Sequence, residues 1–178
     1  SRIRFAVLDI ETRRSAQELG GWGRAARMGM SCAVLYDSQT DRFNEYLAED
    51  MEHLEQDLAA MDLVVGFNLI RFDYKVLSGI SDFNYFRLAT LDMLDEIHKT
   101  LGYRLSLDRL AKETLGSEKS ADGLMALKWW KQGEIRKIVD YCRQDVQVTR
   151  DLYLFGSRHG YLLFRNKAGM QVRVPVNW

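Results

Sequence analysis

Asp9-Ile10-Glu11 sets two carboxylates two residues apart at the end of an apolar stretch. Ile3 to Ile10 is partly β-branched and reads as a buried strand, on which side chains two apart share a face. Leaving unpaired carboxylates on such a face costs several kcal/mol each, roughly. A divalent cation removes that cost, and hard oxygen ligands suit Mg²⁺ or Mn²⁺. The plainer reading is the exposed start of a loop. Asp50-Met51-Glu52 repeats the pattern at an expected helix start, where acids favour the helix dipole. D-x-E alone is therefore weak.

Two further elements carry acids. In Gly66-Phe67-Asn68-Leu69-Ile70-Arg71-Phe72-Asp73 an apolar strand ends at Phe67 and a helix is expected to begin just after. Asn68 would cap it and Asp73 would fall in its first turns. Tyr141-Cys142-Arg143-Gln144-Asp145 lies inside the longest helical pattern, where i and i+4 share a face. A phenol and a carboxylate thus stand side by side, with Cys142 and Val146 packing next to them. An acid bordering an apolar stripe is unusual unless it is paired. Tyr46 and Asp50 match the same spacing but span a strand-to-helix boundary and cannot share a face.

Taken together, in chain order, D-x-E, N-x-x-x-F-D and Y-x-x-x-D resemble the motifs of the DEDD superfamily of 3′–5′ exonucleases, in its tyrosine-bearing subgroup. The resemblance runs from about Ile3 to Leu154. Within that group the chain looks most like bacterial exonuclease domains sometimes associated with helicases. The resemblance implies a ribonuclease H-like fold and two divalent ions, Mg²⁺ or Mn²⁺. It implies that Asp9 bridges them, that Glu11 and Asp145 complete one site, and that Asp73 holds the second ion. Tyr141 would orient the attacking water; a phenol titrates near pH 10, so it positions rather than serving as a strong base. Thr12, Asn68, Phe72 and Arg71 are the expected substrate-binding residues, Thr12 through its backbone. Two cations about 3.5–4 Å apart stabilise the charge that phosphodiester hydrolysis builds on the attacking and leaving oxygens, and four carboxylates offset their charge.

The chain departs from the pattern after Thr12. Many relatives continue with Thr and Gly; here Arg13-Arg14 follow, and glycine arrives only at Gly20. Arg71 and Lys75 are better placed than Arg13 and Arg14 to meet a substrate backbone. Trp129-Trp130 reads as core packing with one exposed ring, although base stacking is the sharper alternative. His53, His98 and His159 have no ligand spacing and are expected at the surface, and Met28 and Met30 in packing.

The elements that must hold these groups follow from periodicity. Strands are expected over 3–10, 30–36, 42–47, 62–67 and 83–91. Helices are expected over 48–60, 71–78, 92–101, 106–115 (capped by Ser106) and 133–156. Gly20 to Arg27 falls in a loop or short helix. The tail reads as a hairpin, Tyr161 to Phe164 and Val172 to Pro175 around Asn166–Gly169. A meander followed by strand–helix units suggests an α/β fold: a mixed β-sheet flanked by helices, ribonuclease H-like in the resemblance, with a C-terminal β-hairpin. Residues 1–158 are expected to form the exonuclease domain, and 159–178 its hairpin extension, as a sheet extension, dimer contact or docking edge.

With 178 residues the chain is one domain long, and 47% hydrophobic with 28% charged residues is an ordinary globular composition. Two cysteines without C-x-x-C exclude a disulfide framework or a thiolate zinc site and suggest a reduced, cytoplasmic protein. No apolar run is long enough for a bilayer, so no membrane partner is expected. Lys+Arg and Asp+Glu balance at 25 each, which rules out bulk electrostatic wrapping of duplex DNA. The expected function is metal-dependent 3′–5′ exonucleolysis of single-stranded DNA from its 3′ end, with a helicase or other tethering partner compensating the neutral charge. The alternatives are an RNA-trimming exoribonuclease with the same carboxylates, and a non-catalytic nucleic-acid-binding or assembly module.

Overall fold

A computed structural model describes residues 2–117 and 121–178. Its centre is a five-stranded mixed sheet in the order β3-β2-β1-β4-β5. β1 (Phe5–Thr12) pairs antiparallel with β2 (Met30–Asp37), which pairs antiparallel with β3 (Arg42–Tyr46). On its other side β1 runs parallel to β4 (Leu63–Gly66), and β4 runs parallel to β5 (Thr90–Asp92). The apolar run Met-Ser-Cys-Ala-Val-Leu-Tyr is buried throughout, as a strand covered on both faces must be. The charged β3 and the three-residue β5 form the edges, which limits edge-to-edge pairing.

The pleat divides the core. Ala6, Leu8 and Ile10 pack on one face with Leu54 and Leu58 of α2 (Met51–Ala59) and Val76 and Leu77 of α3 (Tyr74–Ser78). Val7 faces the other way, against Ile138, Cys142 and Val146 of α7 (Ile135–His159). Asp9 and Glu11 continue the register of Val7 and so point toward α7. That helix buries Ile138, Val139, Cys142, Val146, Thr149, Leu152, Tyr153 and Gly156, a stripe at three-to-four spacing.

α1 (Ala16–Leu19) and a 3-10 turn over Trp22–Arg27 lie between β1 and β2. α4 (Met93–Leu101), α5 (Leu107–Leu115) and α6 (Gly123–Lys131) lead into α7. Ser106 caps α5 as expected, accepting from the Arg109 N–H at 3.2 Å.

Several expectations are corrected. The fifth strand is only Thr90–Asp92; within 83–91 the chain instead forms a 3-10 turn at Tyr85–Arg87. Aromatic packing decides this: Tyr85 is fully buried, with ring centroids 4.9 Å from Phe83 and 6.0 Å from Tyr74. The helix expected from Arg71 begins earlier, as a π turn over Leu69–Asp73 that continues into α3. α6 was not expected: Leu124 and Met125 are exposed while Ala126 is buried, so its apolar residues trace no single stripe. Asp122 nonetheless caps it, accepting from the Met125 N–H at 2.9 Å. Trp129 and Trp130 are both partly buried, rather than one being exposed.

The hairpin, β6 (Tyr161–Arg165) and β7 (Gln171–Pro175), forms a sheet of its own and does not extend the central one. It buries Leu162, Phe164 and Val174 in the α7 side of the core. Thr114 on α5 pins it, its hydroxyl accepting from the Leu163 N–H at 2.9 Å and lying 3.0 Å from the Leu163 carbonyl. No described helix is long and apolar enough to cross a membrane.

Candidate functional site

Three segments far apart in sequence deliver acids to the C-terminal end of β1. Asp9 and Glu11 project together from the strand, and with Cys142 on α7 their ligand atoms lie within 4.8 Å of one another. Cys142 reaches back 133 residues: its Sγ lies 3.3 Å from the Asp9 carbonyl and 3.6 Å from Asp9 Oδ2. Burial beside the Asp9 carboxylate pushes the Cys142 thiol up, so it stays protonated and donates to Asp9. Sequence reasoning assigned Cys142 to packing alone; its contact with Asp9 depends on how α7 crosses the sheet.

Asp73 arrives from the opposite direction. β1 and β4 pair only as far as Val7 with Val65, so the Ile10 N–H has lost its strand partner. Asp73 Oδ2 accepts that N–H at 3.2 Å, from a position 2% exposed. Gly66 makes the approach feasible: a Cβ there would sit 2.4 Å from Leu69 Cγ, where the chain doubles back into the π turn.

Asn68 does not cap this turn. It adopts the left-handed conformation at φ 67°, and its side chain makes no capping bond. Asp92 does the work from the end of β5, accepting from the N–H of Asn68 at 2.8 Å and of Ile70 at 3.0 Å. Asp92 was missed as a site-building residue; its place before α4 signals only a cap for that helix, a role it also holds through the Asp95 N–H.

The acids act on one another. Burial pushes the Asp9 carboxyl well above its usual range, and the charges of Glu11, Asp73 and Asp145 push it further. Glu11 is raised by burial and then by Asp145 and Asp73. Asp73 is raised by burial, against the pull of the Ile10 N–H. Tyr141, one turn before Asp145 on α7, is pushed up by burial and by Asp145, Glu11 and Asp9. All four carboxylates and the phenol therefore share one electrostatic site. An arrangement of hard oxygen donors that raise one another's pKa is what a multivalent cation neutralises. The oxygen donors of Asp9 and Glu11, acted on by the charges of Asp73 and Asp145, make a donor set that fits a divalent metal ion.

Beside the acids lies a cleft of about 610 Å³ whose wall includes Glu11, Thr12, Asn68, Phe72, Trp22 and Leu124. It adjoins a ladder irregularity between Glu11 and Thr12. Thr12, Asn68 and Phe72 are thus in its wall. Arg71 is exposed elsewhere, its Nε 3.9 Å from Asp95 Oδ1. Trp22 and Leu124 had not been singled out, yet they are 72% and 74% exposed at this cleft. Trp22 packs edge-on to Phe72 at 5.6 Å. Arg13 is engaged structurally, donating to the Met30 carbonyl at 2.9 Å and lying 4.6 Å from the Trp130 ring centre.

A sequence profile of the RNase_H superfamily matches residues 6–155, from the start of β1 to the last turns of α7. The chain belongs to the RNase_H superfamily. Its sheet, with three antiparallel strands continued by two parallel ones and helices on both faces, is the RNase H-like fold. The hairpin follows the matched region. No curated protein matches the chain in sequence. In structure this RNase_H superfamily member is similar to the family B DNA polymerase from the hyperthermophilic archaeon Pyrobaculum calidifontis, with a TM-score of 0.64 and 16% identity. The match covers 89% of this chain and 24% of the polymerase, so the chain spans about a quarter of that protein. At that identity the likeness carries the fold alone.

Proposed function

We propose that this RNase_H superfamily chain is a metal-dependent nuclease, a 3′–5′ exonuclease of the tyrosine-bearing DEDD group acting on single-stranded DNA. The observation that carries the reading is the convergence of Asp9, Glu11, Asp73 and Asp145 with Tyr141 on one site. A binding module has no use for buried acids that raise one another. Membership of the RNase_H superfamily supports a polynucleotide substrate.

Asp9, Glu11 and Asp145 would hold one ion, and Asp9 with Asp73 the other. Such a pair stabilises charge on the attacking and leaving oxygens and acidifies water. The protein supplies the rest. Cys142 fixes Asp9 by donating to Oδ2. The Ile10 N–H fixes Asp73. Tyr141, raised in pKa, remains a neutral phenol that orients the nucleophile by hydrogen bonding. Phe72 and Trp22 offer aromatic surface to a base in the cleft.

The test uses 5′-labelled DNA and RNA strands with Mg²⁺, Mn²⁺ or EDTA, and Asp9→Ala as control. A ladder shortening from the 3′ end of DNA, abolished by EDTA and by Asp9→Ala, is expected. Shortening of RNA alone would reassign the substrate. An intact strand under every condition would remove the nuclease reading.

A further inference from the structure

The carboxylate cleft does not end at Asn68. The Arg104 Nη2 donates to Asn68 Oδ1 at 3.2 Å, and Arg104 also lines a second cleft, of about 720 Å³, between the start of α5 and the hairpin. Its other principal walls are Tyr103, Arg109, Phe164 and Lys167. Three cationic side chains thus face one groove, and among the described residues none lining it is acidic. In a chain of zero net charge that is a local concentration of one sign.

The groove also holds a flat apolar surface. Tyr103 is 48% exposed, with its ring edge-on to the buried Phe164 at 6.4 Å, so the exposed ring has a firm backing. Arg109 is anchored: its Nη2 donates to the Arg165 carbonyl at 2.5 Å, and its guanidinium lies 5.8 Å from the Phe164 ring centre. Lys167 projects from the tip of the hairpin, exposed. Cations beside a supported aromatic ring are the combination that binds single strands irrespective of sequence: charge for the phosphates, a ring for a base.

We propose that this groove is a second strand-binding surface, taking backbone phosphates and one stacked base of the polynucleotide that extends beyond the carboxylate cleft. The hairpin, outside the region matched by the superfamily profile, acquires a function as the groove's far wall. The inference rests on the nuclease reading for the identity of the ligand, but its test does not require hydrolysis.

Fluorescence anisotropy with labelled strands of about four and about sixteen nucleotides, in EDTA, measures the groove directly. Tyr103→Ala and Lys167→Gln change exposed side chains, and unchanged melting verifies the fold. The double variant is expected to bind the longer strand about tenfold more weakly, with little loss on the shorter one. Lys167→Gln is expected to lower the slope of log affinity against log salt by about 0.7, the signature of one lost phosphate contact. Equal affinity of wild type and variants for the longer strand overturns the proposal, as does a wild type that binds neither strand. Turnover of the longer strand by the wild type with Mn²⁺ is scored separately. Groove-dependent binding without shortening sinks the nuclease reading alone, and shortening with unaltered binding sinks the groove alone.

Discussion

Tyr141 and Cys142 are neighbours on α7 with different duties toward the same acids. Burial, reinforced by the charges of Asp145, Glu11 and Asp9, pushes the phenol up and holds it protonated. Tyr141→Phe removes the hydroxyl proposed to orient the nucleophile and leaves every carboxylate in place. It is expected to lower kcat by about 10²-fold while preserving the Mn²⁺-induced rise in Tm. Activity equal to wild type would remove Tyr141 from the mechanism. The Tyr141–Asp145 pairing was legible from the i, i+4 period, and that of Asp9 with Glu11 from the period of two. Cys142 was legible only as a stripe residue, because its contact with Asp9 joins positions 133 apart.

The turn from β4 into α3 depends on an acid from another strand. Asp92 accepts from the Asn68 and Ile70 N–H groups, and so holds the π turn that delivers Asp73. Hydrogen bonds to a charged acceptor contribute about 1.5–3 kcal/mol each. Losing both should lower Tm by roughly 6–24 °C in a chain of this size. Asp92→Ala is therefore expected to cause that drop in a thermal melt and to weaken metal binding, since Asp73 loses its rigid mount. Asp92→Asn, which keeps one carbonyl oxygen, should recover part of both. A normal metal response in Asp92→Ala would show that Asp73 is held by the Ile10 N–H alone. Asn68 illustrates why the turn was misread: its residue type and place signal a cap, but a left-handed φ and the oxygen atoms of Asp92 take over that role.

As a whole, the molecule places repulsive charge at its centre and attractive pairs at its margins. Asp9, Glu11 and Asp73 are raised above their ordinary values. As pH falls from neutral, the folded state takes up protons that the unfolded chain does not, so the metal-free protein gains stability. Asp37 and Glu45 run the other way, lowered chiefly by hydrogen bonds from Arg4 and Arg136. Their contribution is present above the ordinary carboxylate range and is lost as pH falls through it to their lowered values. The metal-free Tm is therefore expected to rise as pH falls from neutral toward the ordinary carboxylate range and to fall once pH drops below it. Mn²⁺ should raise Tm most at the neutral end, where it replaces the protons, and progressively less toward acid. Calorimetry across that window with EDTA or Mn²⁺ checks both slopes. A metal-free Tm that climbs with pH would show that the acids are not mutually repulsive.

Strand and helix periods reveal the Asp9–Glu11 and Tyr141–Asp145 pairs, the meander, the long helix and the terminal hairpin, because each is a regularity among residues close in the chain, whereas only the family resemblance joined Asp73 to those pairs. They establish which acids stand together on one element and that a sheet with flanking helices must mount them. Contacts between distant segments lie beyond such periods. The crossing of α7 over β1 seats Cys142 on Asp9, the early end of the β1–β4 ladder makes room for Asp73, and the aromatic cluster around Tyr85 shortens β5. The turn at Trp22 and the unforeseen α6 bring Trp22 and Leu124 to the cleft, and the docked hairpin builds the basic groove. Those outcomes follow from which surfaces bury one another, and burial is settled by the packing of the whole chain rather than by neighbours in sequence.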